Sequence, residues 1–125
     1  VNMSVPLFSS LGRSAATQKA KIALEKSERA LVSTREELKI KIKRAQNELA
    51  FAQQDLETKK QAQNLAKRIE EKNQIKFFEG MASSFELSQA QTQLYTAQKQ
   101  YMEAMLSVLN KHIALDVLLN PNPIN

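Results

Sequence analysis

The sequence predicts an all-α chain: a long antiparallel helical hairpin, built as a coiled coil or as a wall element of an α-barrel, preceded by the short end of a β-strand. Three observations lead there. Between Ser14 and Leu119 the only Gly or Pro is Gly80, so helix can run on both sides of one break. Leu and Ala recur every seven residues on each side of that break. The composition, with two Gly, three Pro, no Cys and no Trp, is that of long helices. At 125 residues and 6% aromatic content, the core is expected to be a thin seam rather than a sphere.

Residues 1–12 read as a strand end and linker. Val1, Met3, Val5, Leu7 and Phe8 alternate with polar residues up to Pro6, and Ser9-Ser10-Leu11-Gly12 follows as the linker. One strand is not stable alone, so the chain reads as a piece of a longer protein. Ser14 is the expected N-cap of a first helix over 14–78. Its apolar stripe runs through Leu24, Leu31, Leu38, Ala45 and Ala52, joined by Ile42, Leu49 and Leu56, and moves to Ala62, Leu65, Ala66 and Ile69 towards the break. The tip is expected at 79–83. Gly80 can take the left-handed conformation that closes a helix. Ser83-Ser84-Phe85-Glu86 is a capping box that opens the next helix, with Ala82 and Leu87 at the staple positions.

The second helix, 84–119, carries more information. Leu87, Leu94, Tyr101, Val108 and Leu115 repeat every seven, with Ala90, Ala97 and Ala104 three positions on. A second stripe, Tyr95, Met102, Leu106, Leu109 and Ile113, lies well around the cylinder. A two-helix hairpin needs one stripe; two imply neighbours on both sides, as in a helical barrel. The expected pairing places Leu87 near Ile75, Leu94 near Ile69 and Tyr101 near Ala62. At the standard rise the helices span roughly 95 Å and about 54 Å, so Leu24, Leu31 and Leu38 need cover from elsewhere. Pro121-Asn122-Pro123 ends the second helix, and 121–125 is expected to be a disordered tail.

Net charge is +5. The basic residues around Lys39, Lys41, Lys43, Arg44, Lys59 and Lys60 are interleaved with Glu25, Glu28, Glu36, Glu37, Glu48 and Glu57, the pattern of a solvated face. No recognition residues accompany them, and Lys39 to Arg44 follows the leucine heptad instead of preceding it, which excludes a basic-zipper arrangement. No nucleic-acid partner is expected. Nor is any run of about 18 apolar residues present to cross a membrane as a helix. The single His112 stands near Lys111 and Asp116 at a helix end, where packing and the helix dipole account for it. With no paired Cys or His, no Gly-rich phosphate loop and no nucleophile beside a base, no catalytic residue, metal site or cofactor is expected. Function should concentrate at the tip, where Gly80, Met81, Ala82, Ser83 and Ser84 offer small residues that another hairpin could approach.

The tip also carries a resemblance. Phe77-Phe78-Glu79-Gly80, then Ser83, Phe85-Glu86-Leu87, Ala90-Gln91 and Leu94, with Ala97, Tyr101 and Ala104 beyond, is similar to the outer membrane efflux proteins, the TolC-like family. Ser4-Val5-Pro6-Leu7-Phe8 resembles the family's end of a barrel strand leading into the descending helix. The match corresponds to one of the family's two repeats. It implies an outer-membrane export duct, trimeric in the full-length protein, with this segment mainly periplasmic in a Gram-negative bacterium. It further implies a tip over Gly80–Ser84 that meets a periplasmic adaptor serving an inner-membrane pump, and a pore constriction at Phe77, Glu86 and Gln89. Glu86 matches an acidic position of the family, while Gln89, Ala82 and Phe77 replace an acid, an Arg and a Tyr found in some members. The packing seams would be Leu87, Leu94, Tyr101 and Val108 on one side and Tyr95, Met102 and Leu106 on the other. The competing readings are the α-hairpin of the adaptor itself, which should be flanked by Gly/Val-rich half-domains, and a structural coiled coil unconnected with transport.

Overall fold

The structure, a computed structural model, describes residues 7–121. Two helices make up the described chain: α1, Leu7–Phe78, of 72 residues, and α2, Ser84–Leu119, of 36 residues. Contacts divide the chain into a unit up to Ile40 and a unit from Lys41 onward.

In the first unit α1 begins earlier than the sequence suggests. Leu7 to Gly12 are helical, so Ser9–Gly12 is not a linker and Ser14 is not the N-cap. A single Gly inside a helix costs only about 1 kcal/mol relative to Ala, and no Gly or Pro stands near it in the next turns. A side chain at Gly12 would meet nothing within 4 Å, so no close approach demands the residue there. The expected strand over residues 1–6 lies outside the described residues. From Ser10 to Ile40 every side chain is exposed, with Leu24, Leu31 and Leu38 at 59%, 58% and 44%. Local bonds support this helix: Thr17 Oγ1 donates to the Arg13 carbonyl at 2.8 Å, Thr34 Oγ1 to that of Ala30 at 2.9 Å, and Lys39 pairs with Glu36 at 2.9 Å. Exposed pairs of this kind contribute only a few tenths of a kcal/mol.

The second unit is an antiparallel hairpin. On α1 the half-buried positions are Ile42, Ala45, Leu49, Ala52, Leu56, Lys59, Gln63, Ala66, Glu70 and Asn73. On α2 they are Leu87, Leu94, Ala97, Tyr101, Val108, Lys111, Leu115 and Leu118, with Ser107 half-buried beside this series and Ala90 and Ala104 fully buried. Both series advance by alternating steps of three and four, the period of a coiled-coil seam. The Lys111 ammonium donates to Glu48 Oε2 at 2.7 Å and fixes the register. Counting back along the seam from that pair brings Ala104 level with Leu56, Leu94 with Ala66, and Leu87 with Asn73. The two residues fully buried among those described are alanines, small enough to let the helices approach closely.

Towards the tip the seam departs from expectation. Lys59, Gln63, Glu70 and Asn73 occupy it together with Ala66, while Leu65 is 58% and Ile69 38% exposed, and Ala62 also faces outward. The expected pairing is therefore displaced by about one turn of α1. A straight helix cannot change its seam midway without twisting. The heptad phase set by Ile42 to Leu56 carries on, and the aliphatic stems of Lys59, Gln63 and Glu70 cover the facing residues.

At its other end α2 stops at Leu119. Asn120 has φ −123° and ψ 80°, out of the helical region as expected of a residue preceding Pro, and its N–H donates to the Asp116 carbonyl at 2.8 Å. The expected tail beyond Pro121 lies outside the described residues. No helix among the described residues is long and apolar enough to cross a membrane.

Candidate functional site

The tip is built from two interlocking caps. α1 closes in a Schellman motif: the Met81 N–H donates to the Lys76 carbonyl at 2.7 Å and the Gly80 N–H to that of Phe77 at 3.0 Å. Gly80 holds φ at 73°, the left-handed conformation this motif requires, and the described residues hold no other with positive φ. The next residues open α2 through a reciprocal box. Glu86 N–H donates to Ser83 Oγ at 3.2 Å, and Ser83 N–H donates to Glu86 Oε2 at 2.7 Å. The Ser83 hydroxyl also donates to Glu86 Oε2, at 3.0 Å. Ala82 and Leu87, on either side of this box, are both half-buried. The turn is thereby held rigidly across Glu79–Ser83 by the backbone.

These bonds govern the electrostatics of Glu86. The Ser83 N–H holds its carboxyl below the ordinary carboxylate value, helped by the Ser83 hydroxyl and then by the charge of Lys76. Glu86 is thus anionic at neutral pH, yet one oxygen is committed to the cap. Gln89 lies one turn along α2. With Glu86, Ala90 and Gln93 of α2 and Ile69 and Asn73 of α1 it lines a shallow polar groove beside the seam. Phe77 is 38% exposed, and its ring meets Phe78 edge-on, with centroids 6.0 Å apart. Phe77, Glu86 and Gln89 are therefore not gathered into one cluster: Glu86 and Gln89 share the groove, whose lining does not include Phe77.

Gly80, Met81, Ser83 and Ser84 are exposed. What the sequence reading missed is the apolar rim around them. Phe78, Met81 and Phe85 are 79%, 69% and 75% exposed, larger than any feature the small residues present. A second site of charge lies far along the hairpin, where Lys111 hydrogen-bonds to Glu48 and draws its carboxyl below the ordinary value.

On the two sides of α2 the structure separates the stripes. Leu87, Leu94, Tyr101 and Val108 face α1, half-buried. Tyr95, Met102 and Leu106 are 71%, 60% and 60% exposed, continuing through Leu109 and Ile113. Among the described residues no group of three His, Cys, Asp or Glu side chains could hold a metal ion.

A family profile for outer membrane efflux proteins matches residues 1–121. The chain belongs to that family. No curated protein and no solved structure matches it. As an outer membrane efflux protein it is a component of a channel at the outer membrane, in a family of ducts rather than enzymes. Such ducts are oligomeric and work with adaptor proteins.

Proposed function

We propose that this hairpin is a wall element of the periplasmic tunnel of a trimeric export duct, and that its tip docks to a periplasmic adaptor serving an inner-membrane pump. The observation that carries the proposal is the second apolar stripe of α2. Tyr95, Met102, Leu106, Leu109 and Ile113 remain exposed after α1 has taken its share of the helix. Apolar area this continuous marks a packing surface. One helix with apolar stripes on two sides sits between two neighbours, which is the situation of a helix in a closed wall and not of a free hairpin.

At the tip, Gly80, Met81, Ala82, Ser83 and Ser84 form the docking surface, with Phe78 and Phe85 as its apolar rim. Glu86 and Gln89 belong to the pore side, where Glu86 contributes one free carboxylate oxygen and Phe77 narrows the passage. The duct conducts passively; no residue is assigned a catalytic role.

The test is site-specific photocross-linking in the full-length protein in its membrane. A cross-linker at Met102 should yield covalent dimers and trimers of the channel chain. One at Met81 should yield an adduct with the co-expressed adaptor and none with a second channel chain. If Met102 gives only monomer, the wall reading fails. If Met81 captures no adaptor in an assembly that still exports, the tip is merely a connector.

A further inference from the structure

We propose that the exposed stripe of α2 is covered by α1 of a second copy of this chain, set beside the first at the same height. The proposal rests on the hairpin being a wall element, and it names the partner of that element's open side. Two exposed rows make the contact. Arg44, Phe51, Thr58 and Leu65 each stand one residue before a seam residue of α1. Tyr95, Met102, Leu109 and Asp116 each stand one residue after a seam residue of α2. Successive residues lie about 100° apart, and the two helices run in opposite directions. The rows therefore turn onto opposite faces of the hairpin. They cannot meet within one chain, but they can meet between chains.

The register fixed by Lys111 and Glu48 sets the height of each residue. It brings Phe51 level with Leu109, Thr58 with Met102, Leu65 with Tyr95, and Arg44 with Asp116. Two levels match large apolar groups, and another sets a cation against an anion. At the remaining level Thr58 Oγ1 already donates to the Gln54 carbonyl at 3.1 Å, so its methyl can lie against Met102 with no hydrogen bond lost. Neither Arg44 nor Asp116 forms an ion pair among the described residues. Sliding the copy by one heptad, about 10 Å, destroys the match. In one direction Arg44 meets Leu109 and Leu65 meets Ser88; in the other Phe51 meets Asp116.

A copy docked with α2 against α2 would cover the same stripe but leave Leu65 and Phe51, the latter 77% exposed, still in water. It would also set like against like, since α2 is net acidic while α1 from Lys41 onward is net basic. The contact of α1 with α2 covers both rows. It is heterologous, so each pair stays open to a further copy, and such an arrangement becomes a ring when successive rotations close. Rotation about an axis along the hairpin keeps every copy at one height, the height at which the rows match.

The chain has no cysteine, so single cysteines report cleanly. Chains with Phe51→Cys are mixed with chains of different mass carrying Leu109→Cys, and oxidised mildly. The mixed disulfide should form at least about tenfold faster than either like disulfide, because bridging needs β-carbons within about 4.5 Å. Thr58→Cys with Met102→Cys should behave in the same way. Phe51→Cys with Met102→Cys, one heptad out of register, should be slower by about tenfold or more. Arg44→Asp should weaken association by about threefold or more, and adding Asp116→Arg to the same chain should restore it. Both positions are exposed, so neither change threatens the hairpin. The proposal is overturned if the Leu109→Cys chains bridge mainly to one another, an outcome that leaves the stripe a packing surface and the wall reading standing. It is overturned too if the out-of-register pair closes as fast as the level one, or if Asp116→Arg brings no recovery. Absence of any bridge also overturns it, while cross-linking from Met102 in the membrane decides the wall reading separately.

Discussion

At Gly80 and Glu86 the cost of the turn is carried by backbone conformation and by one carboxylate. A β-carbon at Gly80 would meet nothing within 4 Å, so a substitution there is opposed by its φ of 73° alone. Gly80→Val should lower stability by about 1 kcal/mol or more, read as a shift in thermal unfolding followed by circular dichroism. Gly80→Asn, which tolerates the left-handed region, should recover much of the loss. Glu86 gives a pH signature. Its carboxyl is depressed by Ser83, so its contribution is complete above the ordinary carboxylate value and disappears as pH falls through the depressed folded value. Glu86→Gln should therefore be less stable than the parent near neutral pH, and the two should converge in acid. A constant difference across the titration would show that the charged form plays no part in the cap. The capping box was legible in the sequence because its chemistry is local, four consecutive residues deep. The exposed rim of Phe78, Met81 and Phe85 was not, because small and large residues alternate there, and only the direction of each side chain tells which dominates the surface.

Within the hairpin of the second unit, legibility follows how strongly the apolar pattern is written. From Ile42 to Leu56 on α1 and Leu87 to Val108 on α2 the heptads are unbroken, and period alone names the facing residues. From Lys59 to Asn73 the sequence offers a richer apolar set one position away, and reading by hydrophobicity selects Ala62, Leu65 and Ile69. The structure selects phase continuity instead. The start of α1 was misplaced for a related reason: Gly12 reads as a break, but an isolated glycine is a modest penalty against a strong helical context. Packing in the seam should be sensitive to size. Ala104 is 4% exposed, and Ala104→Leu should force the helices apart at a cost of about 1–3 kcal/mol. Ala114→Leu, on the exposed side of the same helix, should change stability by less than about 0.5 kcal/mol. Chemical denaturation of both variants checks the seam directly; equal effects would mean the two faces are not distinct.

For the molecule as a whole, each unit exposes apolar surface with a helical period. In the first, Leu24, Leu31 and Leu38 recur every seven residues with Ile22, Val32 and Ile40 also exposed, and no described side chain from Ser10 to Ile40 is buried. In the second, Tyr95, Met102, Leu106, Leu109 and Ile113 line the side of α2 turned from α1. A helix with an uncovered stripe gains by pairing with any complementary stripe, at roughly 25 cal/mol for each Å² of apolar surface removed from water. The 125-residue chain should accordingly self-associate, with sedimentation equilibrium giving a mean mass that rises with concentration. Replacing Met102, Leu106 and Leu109 by Ser removes the centre of the α2 stripe without touching the seam. Helicity of the hairpin should then be retained while the mean mass falls towards that of a monomer. Replacing Leu24, Leu31 and Leu38 by Ser tests the first unit separately, and each set should weaken association on its own if both stripes pack. A parent chain that remains monomeric at high concentration would show that neither stripe drives assembly, and would leave the wall of the duct to be closed by other surfaces.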